Sequence, residues 1–375
     1  MTDFHIALTP IDKFYFGGDM TFPVGNDKND AFNTKFSSYI IESTYFPQQT
    51  SLLGMLRYLL LSNSRYFSNG RIIDKEGAAG LIGEQSFMVN EDGHRPNDYG
   101  PVLKSISTCR LQTLDANGRW NDLNVIPFDD RLNITFDDCR SGNINGFPRK
   151  IPWNSGYNPK TTGIVHGFRP VGEKQPVINM EDIFEKDTHL GINRNIKTGK
   201  TEDNALYKQV CYRLRKNYRF GLSVKINEAA LSQLMPDIKN FKDFDGQIVS
   251  VGGDGSRFVL SIGPATDGSA TSRPNESDIR AIVLTSPSYL DAEDAAIASF
   301  TITEIVPFRF IRTNVRTTKV YDIVHDRNSR SVLYQLYSAG SVFYFESSQD
   351  SAEFRKRLEA KNEFRQIGYN QYILK

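Results

Sequence analysis

Cysteine is scarce: Cys109, Cys139 and Cys211 are the only three in 375 residues, with no Cys-x-x-Cys spacing. Such an odd, unpatterned set argues against a disulfide framework and supplies no structural zinc site. Long apolar runs are missing too, and nothing approaches the ~18 consecutive apolar residues of a membrane-spanning helix. The start, Met1-Thr2-Asp3-Phe4-His5, lacks the basic leader and apolar stretch of a secretory signal. A reduced, cytoplasmic setting with no membrane partner is the expectation. Net charge is nearly absent as well: 45 Lys and Arg stand against 44 Asp and Glu, for +1. That excludes a protein that coats polyanions through a global positive excess. Tryptophan numbers only 2, but 25 Phe and 17 Tyr are present. With 39% hydrophobic and 24% charged residues, the composition is that of a folded protein. The length fits two domains at ~100–200 residues each.

The neutral total hides an uneven distribution. Residues 186–225 carry ten Lys/Arg and three Asp/Glu, residues 305–330 six and two, and residues 355–375 six and two. Together the windows hold +15, against −14 in the rest. A charge run is often only a solvated face. Three basic windows against an acidic remainder point towards a polyanion-binding face.

Patterning gives the fold. Ala281 to Thr285 reads as a short strand ended by Ser286-Pro287, after which Ser288 caps a helix to about Ser299. Phe300 to Arg312 reads as a strand bent at Pro307, and Ser331 to Glu346 as a β-rich run broken by Ala339-Gly340-Ser341. A charged helix from Ser348 to about Phe364 and a strand at Tyr372-Ile373-Leu374 complete a β-α-β-β-α-β order, the ferredoxin-like unit. The first part repeats it. Phe4 to Leu8 is a strand, and Gln48 to Leu61 an amphipathic helix after Pro47. Tyr207 to Leu214 and Tyr218 to Ile226 form a hairpin around Lys216-Asn217, Asn227 caps a helix, and Gln247 to Val251 is the last strand. The expected class is α+β, with two tandem ferredoxin-like (RRM-like) domains. Residues 1–262 form the first, interrupted by a large insertion at about 62–186, and residues 263–375 the second.

Alternation sorts the hairpin's side chains. Tyr218, Phe220, Leu222 and Val224 share one face, Arg219, Ser223 and Lys225 the other, and Arg213 and Arg215 lie together. A positive sheet surface suits RNA, although Lys and Arg also keep an exposed strand from pairing at its edge.

Short motifs are weaker. Thr198-Gly199-Lys200-Thr201 resembles the end of a phosphate-binding loop, but Arg194 stands where its first glycine belongs, so no nucleoside triphosphatase is expected. The basic stretch His189 to Lys200 suits a loop lying along a sugar-phosphate backbone. Gly252-Gly253-Asp254-Gly255 and Ala339-Gly340-Ser341 are either tight turns or places where backbone N–H groups approach phosphates. Of five histidines none forms a metal-binding pair. His5 and His189 are candidate general acids or bases for RNA cleavage, or simply structural. Asp129-Asp130 and Asp137-Asp138 are either metal ligands or acidic loop decoration. No nucleophile constellation, metal site or cofactor is expected.

Seven segments in order carry a family resemblance: Leu8-Thr9-Pro10-Ile11-Asp12; Phe46-Pro47 with Gly54 and Arg57; Gly100 to Leu103; His189-Leu190-Gly191-Ile192-Asn193-Arg194 leading to Leu206-Tyr207; Gly252-Gly253-Asp254; Leu284 to Pro287; and Ala339 to Val342. The chain resembles the third-subunit family of the Cmr complex, the type III-B CRISPR effector, within the RAMP superfamily. The resemblance implies a non-catalytic subunit in antiviral defence that holds the 5′ repeat-derived handle of the CRISPR RNA. It also implies bridging of the large polymerase-type subunit to the backbone RAMP subunit, with target RNA met only indirectly. The family's C-terminal glycine-rich loop is reduced here to Gly368-Tyr369-Asn370.

On this reading Arg57, Arg194, Lys200, Arg213, Arg215 and Arg257 are the candidate phosphate partners. Gly253, Gly340 and Ser341 are candidate backbone cradles, and Tyr207 is a base-stacking ring. The competing readings are a metal-independent endoribonuclease that processes CRISPR transcripts through His5 or His189, and a sibling RAMP subunit of another type III complex.

Overall fold

The structure, a computed structural model, describes residues 1–17, 20–21, 39–89, 97–132, 139–144, 147–152, 164–170, 176–194, 197–198, 201–265, 281–317 and 330–375. Its largest sheet is built around the strand Thr2–Pro10, which buries Phe4, Ile6 and Leu8. That strand pairs antiparallel with Tyr218–Ile226 on one side and Arg257–Pro264 on the other, with Ile6 opposite both Leu222 and Ile262. Arg110–Leu114 joins Tyr218–Ile226 antiparallel, and Trp120–Val125 and Phe168–Pro170 extend the sheet beyond it. Leu103–Ile106 branches onto Tyr218–Ile226, and Ile248–Ser250 closes the other edge.

A smaller sheet has the order Phe300–Ile302, Val342–Tyr344, Ala281–Leu284, Tyr372–Leu374, all antiparallel. In both sheets the first strand of a β-α-β-β-α-β succession lies between the fourth and the third, with the second outside the third. The first succession uses the helices Gln49–Ser62 and Glu228–Leu234; the second uses Ala292–Ala295 and Ser348–Ala360.

Two expectations for the first part are corrected. Thr201–Leu214 and Tyr218–Ile226 are not a hairpin: the former pairs with Phe184–Arg194 and Tyr39–Glu42 in a separate sheet. Asn217 turns the chain with φ +70°, but its carbonyl accepts from the N–H of Leu114 and Arg215 N–H donates to Ile183. The local turn is there; long-range pairing decides its neighbours. The second strand of the first succession is instead Arg110–Leu114, from the stretch expected as an insertion. Likewise Gln247 to Val251 supplies only an edge strand, and Arg257–Pro264 takes the place beside Thr2–Pro10.

In the last third the helix expected from Ser288 shrinks to Ala292–Ala295. Ser288 exchanges two backbone bonds with Tyr337 (2.9 and 2.8 Å) and Ser299 N–H donates to Tyr344, so both ends are committed to β pairing. The helix Ser348–Ala360 begins as expected, Ser347 accepting from Asp350 N–H and Phe354 and Leu358 facing inward. It ends at Ala360, and the short helix Asn362–Gln366 follows.

Leu52, Leu53, Leu56, Leu59 and Leu60 of Gln49–Ser62 cover the large sheet through Phe4, Ile6, Leu222 and Leu260. Phe343, Phe354, Leu358 and Ile282 form the core of the smaller sheet. Aromatic rings join the two regions: Phe87 lies 4.9 Å from Phe310 and 5.3 Å from Phe364, and Phe308 lies 5.4 Å from Tyr369. Among the described residues no helix is long and apolar enough to cross a membrane.

Candidate nucleic-acid interface

After the opening strand, Phe14 and Phe16 turn inward and pack on Phe220 and Phe258, with ring centroids 5.6 and 5.9 Å apart. The alternation leaves Lys13 and Tyr15 on the opposite side. Tyr15 is fastened to the glycine turn: its carbonyl accepts from Gly253 N–H (2.9 Å) and its N–H donates to Ser256 Oγ (2.8 Å). Gly252 has φ +90°, and a Cβ there would stand 2.3 Å from the Tyr15 carbonyl oxygen, so only glycine fits this close approach. The amide of Gly253 is therefore engaged within the turn. The next two, on Asp254 (φ +51°) and Gly255 (φ +71°), are exposed and have no partner among the described residues.

The side sheet borders this turn. Phe14 and Tyr212 exchange backbone bonds of 2.8 and 3.0 Å, bringing one face of Phe184–Arg194 and Thr201–Leu214 up to Lys13. On that face Asp187 accepts from Arg213 Nε (3.1 Å) and Nη2 (2.9 Å), and the Arg213 bond holds its carboxyl below the usual range. Arg213 also bonds to Asp12, and the ring nitrogen Nε2 of His189 lies beside Lys13 and 2.9 Å from Asp187. Gln209 donates to Asp254, tying the side sheet to the turn. Burial pushes the Cys211 thiol up. These ion pairs reach solvent, where such pairs add little to stability, so Arg213 can exchange a carboxylate for a phosphate without a large loss. Arg257 is exposed at the start of its strand, and its carbonyl accepts from Ile11 N–H (3.0 Å).

Of the expected site residues, Arg213, Gly253 and Arg257 thus come together. Arg194 and Tyr207 lie further along the same pair of strands; Gly199 and Lys200 of the phosphate-loop-like string lie outside the described residues. Arg215 is exposed at the other end, donating from Nε to the Glu181 carbonyl (3.2 Å). Phosphate contact at Arg57, Gly340 and Ser341 gives way to an internal role. Arg57 is buried in Gln49–Ser62 and donates to the carbonyls of Ile82 (2.9 Å) and Gly83 (3.1 Å), which end the helix Lys75–Ile82. Burial brings its guanidinium down to about 10. Gly340 (φ +95°) packs against Phe128 and accepts from its N–H (2.8 Å), and Ser341 is fully buried beside it. The shortened Gly368-Tyr369-Asn370 turn is buried too.

The candidate acid–base groups do not share a site. His5 lies on the large sheet with Nε2 3.2 Å from Gln112 Oε1, and burial lowers its pKa; His189 has the different partners given above. Asp129 bonds to Tyr344 and Lys375, and Asp130 forms a two-point pair with Arg169 (2.5 and 2.7 Å). The pair is thereby engaged with protein groups; Asp137-Asp138 lies outside the described residues. No group of three or more His, Cys, Asp or Glu among the described residues is placed to hold a metal ion. Sequence reasoning missed Lys13, whose only signal is its place between Asp12 and two alternating phenylalanines. It also missed Trp120, on which Arg219 stacks at 4.0 Å.

Comparison with known proteins places the chain. Two cryo-EM structures described as type III-B Cmr-beta bound to cognate target RNA, one also with AMPPnP, match at 12% and 13% identity. Each match covers 98% of this chain and 96% or 95% of the other, with a TM-score of 0.46. A crystal structure of the Csm3-Csm4 subcomplex of the type III-A interference complex matches at 10% identity, covering 92% and 93%, with a TM-score of 0.36. No curated protein matches. The family model for the CRISPR-associated protein Cas_Cmr3 matches residues 168–374, more than half of the chain. The chain belongs to the Cas_Cmr3 family of CRISPR-associated proteins.

Proposed function

We propose that this chain is a non-catalytic, RNA-binding RAMP subunit of a cytoplasmic type III-B CRISPR ribonucleoprotein. It holds the 5′ repeat-derived handle of the CRISPR RNA and bridges the large polymerase-type subunit to the backbone RAMP subunit, meeting target RNA indirectly. Its two β-α-β-β-α-β successions are read as ferredoxin-like domains, residues 1–262 and 263–375. Within the family assignment, one observation carries the site. The N–H groups of Asp254 and Gly255, without a partner among the described residues, sit in a positive-φ turn that leads into Arg257 and that Gln209 ties to the sheet face carrying Arg213, His189 and the adjoining Lys13; successive N–H groups in such a turn take anions. Arg194, Lys200, Tyr207 and Arg215 would extend the contact along the neighbouring strands.

The test is fluorescence anisotropy with guide RNA carrying or lacking the handle, on the protein together with its complex partners. Intact guide is expected to bind at least about tenfold tighter, a difference of ~1.4 kcal/mol. Equal affinity for the two RNAs refutes the handle assignment. Site-specific cleavage of repeat RNA by the isolated protein, abolished by a histidine substitution, would replace this reading with the nuclease.

A further inference from the structure

Exposed apolar side chains gather on one hairpin. Of the twelve large hydrophobic residues exposed among the described residues, five belong to it: Ile305 (54% exposed), Val306, Ile311, Val332 (64%) and Leu333 (51%). Ile305–Phe308 pairs with Tyr334–Tyr337, Ile305 opposite Tyr337 and Pro307 opposite Gln335, and a bridge joins Ile311 to Arg330. Phe308 and Phe310 turn inward to the aromatic seam, so Ile305, Pro307, Arg309 and Ile311 follow one another along the outer face, while Val306, opposite buried Leu336, lies at the rim of the inner one. Arg309, Arg312 and Arg330 are exposed, and no acidic partner for them occurs among the described residues. Arg316, by contrast, is paired with Glu76 (2.9 Å) and Glu84 (3.8 Å).

Aliphatic side chains interleaved with and flanked by arginines that have no acidic partner among the described residues have the makeup of a protein interface, apolar patches beside polar ones. We propose that this face docks a partner protein whose surface has an aliphatic centre rimmed by Asp and Glu. Single-stranded RNA is a poorer fit, because bases need rings to stack on and the five exposed residues are all aliphatic. A second copy of the chain is also a poorer fit, since a two-fold contact would set the three arginines against their own like charge. Pro307 has no N–H to offer an added strand, so recognition runs through side chains. The sequence alone pointed this basic window towards a polyanion; the interleaved aliphatic residues change its partner.

The inference rests on the reading of the chain as one subunit of a ribonucleoprotein, and the other subunits serve as the probe. Two variants are reconstituted with all subunits and guide RNA: Ile311→Asp with Leu333→Asp, and Arg309→Glu with Arg312→Glu and Arg330→Glu. Retention of each in the assembled complex after size exclusion is expected to fall about tenfold or more, as for loss of an interface hot spot. Affinity of the isolated variants for handle RNA should stay within about twofold, and their Tm within about 2 °C, as befits surface substitutions. Unchanged retention overturns the proposal. So does a parallel loss of RNA affinity, which would make the face an RNA surface, and so does self-association of the parent chain that the variants abolish. If the parent chain binds handle RNA but is not retained, docking fails and RNA binding stands; if it is retained but does not bind handle RNA, the handle assignment fails alone.

Discussion

Gly368→Ala strikes the contact between the two halves of the chain. Gly368 has φ +90°, and a Cβ there would lie 2.3 Å from Gln49 Nε2, 2.4 Å from the Ser107 carbonyl carbon and 2.5 Å from Thr108 N. Alanine in the left-handed region costs ~1–2 kcal/mol, and overfilling a packed site adds ~1–3 kcal/mol. The neighbours have little room to yield. Gln49 Nε2 donates to Ile367 (2.5 Å) and Ser107 (2.9 Å) carbonyls, and Thr108 Oγ1 donates to the Gly368 carbonyl (2.5 Å). The expected loss is about 2–5 kcal/mol. At ~2.1 cal/mol/K of unfolding entropy per residue, a chain of this size loses about 3–6 °C in Tm. Differential scanning calorimetry measures it, with Gly54→Ala as the control. Gly54 sits exposed inside the helix Gln49–Ser62 with nothing within 4 Å of an added Cβ, so alanine there should stabilise by ~0.5–1 kcal/mol. A Gly368→Ala protein melting within about 1 °C of the parent, or a Gly54→Ala protein falling as far, refutes the reasoning.

Arg57→Met leaves the Ile82 and Gly83 carbonyls buried without their donors and should cost ~2–4 kcal/mol in urea unfolding. Its handle-RNA affinity should not change, and unchanged stability with lost RNA binding would return Arg57 to the interface. Lys13→Ala with Arg257→Ala should weaken handle binding and flatten the log–log salt dependence by ~0.7 per lost phosphate contact; an unaltered slope places the RNA elsewhere. The burial-lowered pKa of His5 gives a pH dependence. Below the ordinary histidine value of 6.5 the unfolded chain takes up a proton that the folded chain resists, so stability falls as pH drops through that value and levels off below the folded pKa. His5→Gln should remove that component of a Tm-against-pH curve; if the slope between about pH 7 and 5 survives, other groups carry it.

The legible parts of the fold were those that local chemistry decides. Thr2–Pro10, Gln49–Ser62, the helix capped by Asn227, Ala281–Leu284, the start of Ser348–Ala360 and Tyr372–Leu374 announce themselves through alternation, capping and punctuating prolines. The single strand expected from Phe300 to Arg312, by contrast, is split at 303–304 into Phe300–Ile302 and Ile305–Phe308 of two different sheets. Partner choice was not legible. Nothing local distinguishes Thr201–Leu214 as the neighbour of Tyr218–Ile226 from Arg110–Leu114, whose fit depends on Leu111 meeting Phe220 across the sheet. The site divided in the same way. Arg213 and Arg257 were readable as residue types suited to phosphate and lie on elements that meet at one turn, whereas the N–H of Gly253, read as a phosphate cradle, is held by the Tyr15 carbonyl. Arg57 looked identical on paper, because a buried arginine capping another helix is distinguishable only once the second helix is in place.

The pairing of Thr2–Pro10 also bears on synthesis. Thr2 lies opposite Ile226 and Phe4 opposite Pro264, so the central strand has no lasting neighbour until some two-thirds of the chain has been made. At ~5–20 residues per second, that leaves its hydrogen-bonding edges without these partners for roughly 13–50 seconds on the ribosome. The smaller sheet, closed by Ala281–Leu284 against Tyr372–Leu374, spans fewer than a hundred residues and waits far less. The nascent first half is therefore the stage at which chaperone binding or early contact with RNA has the most to protect.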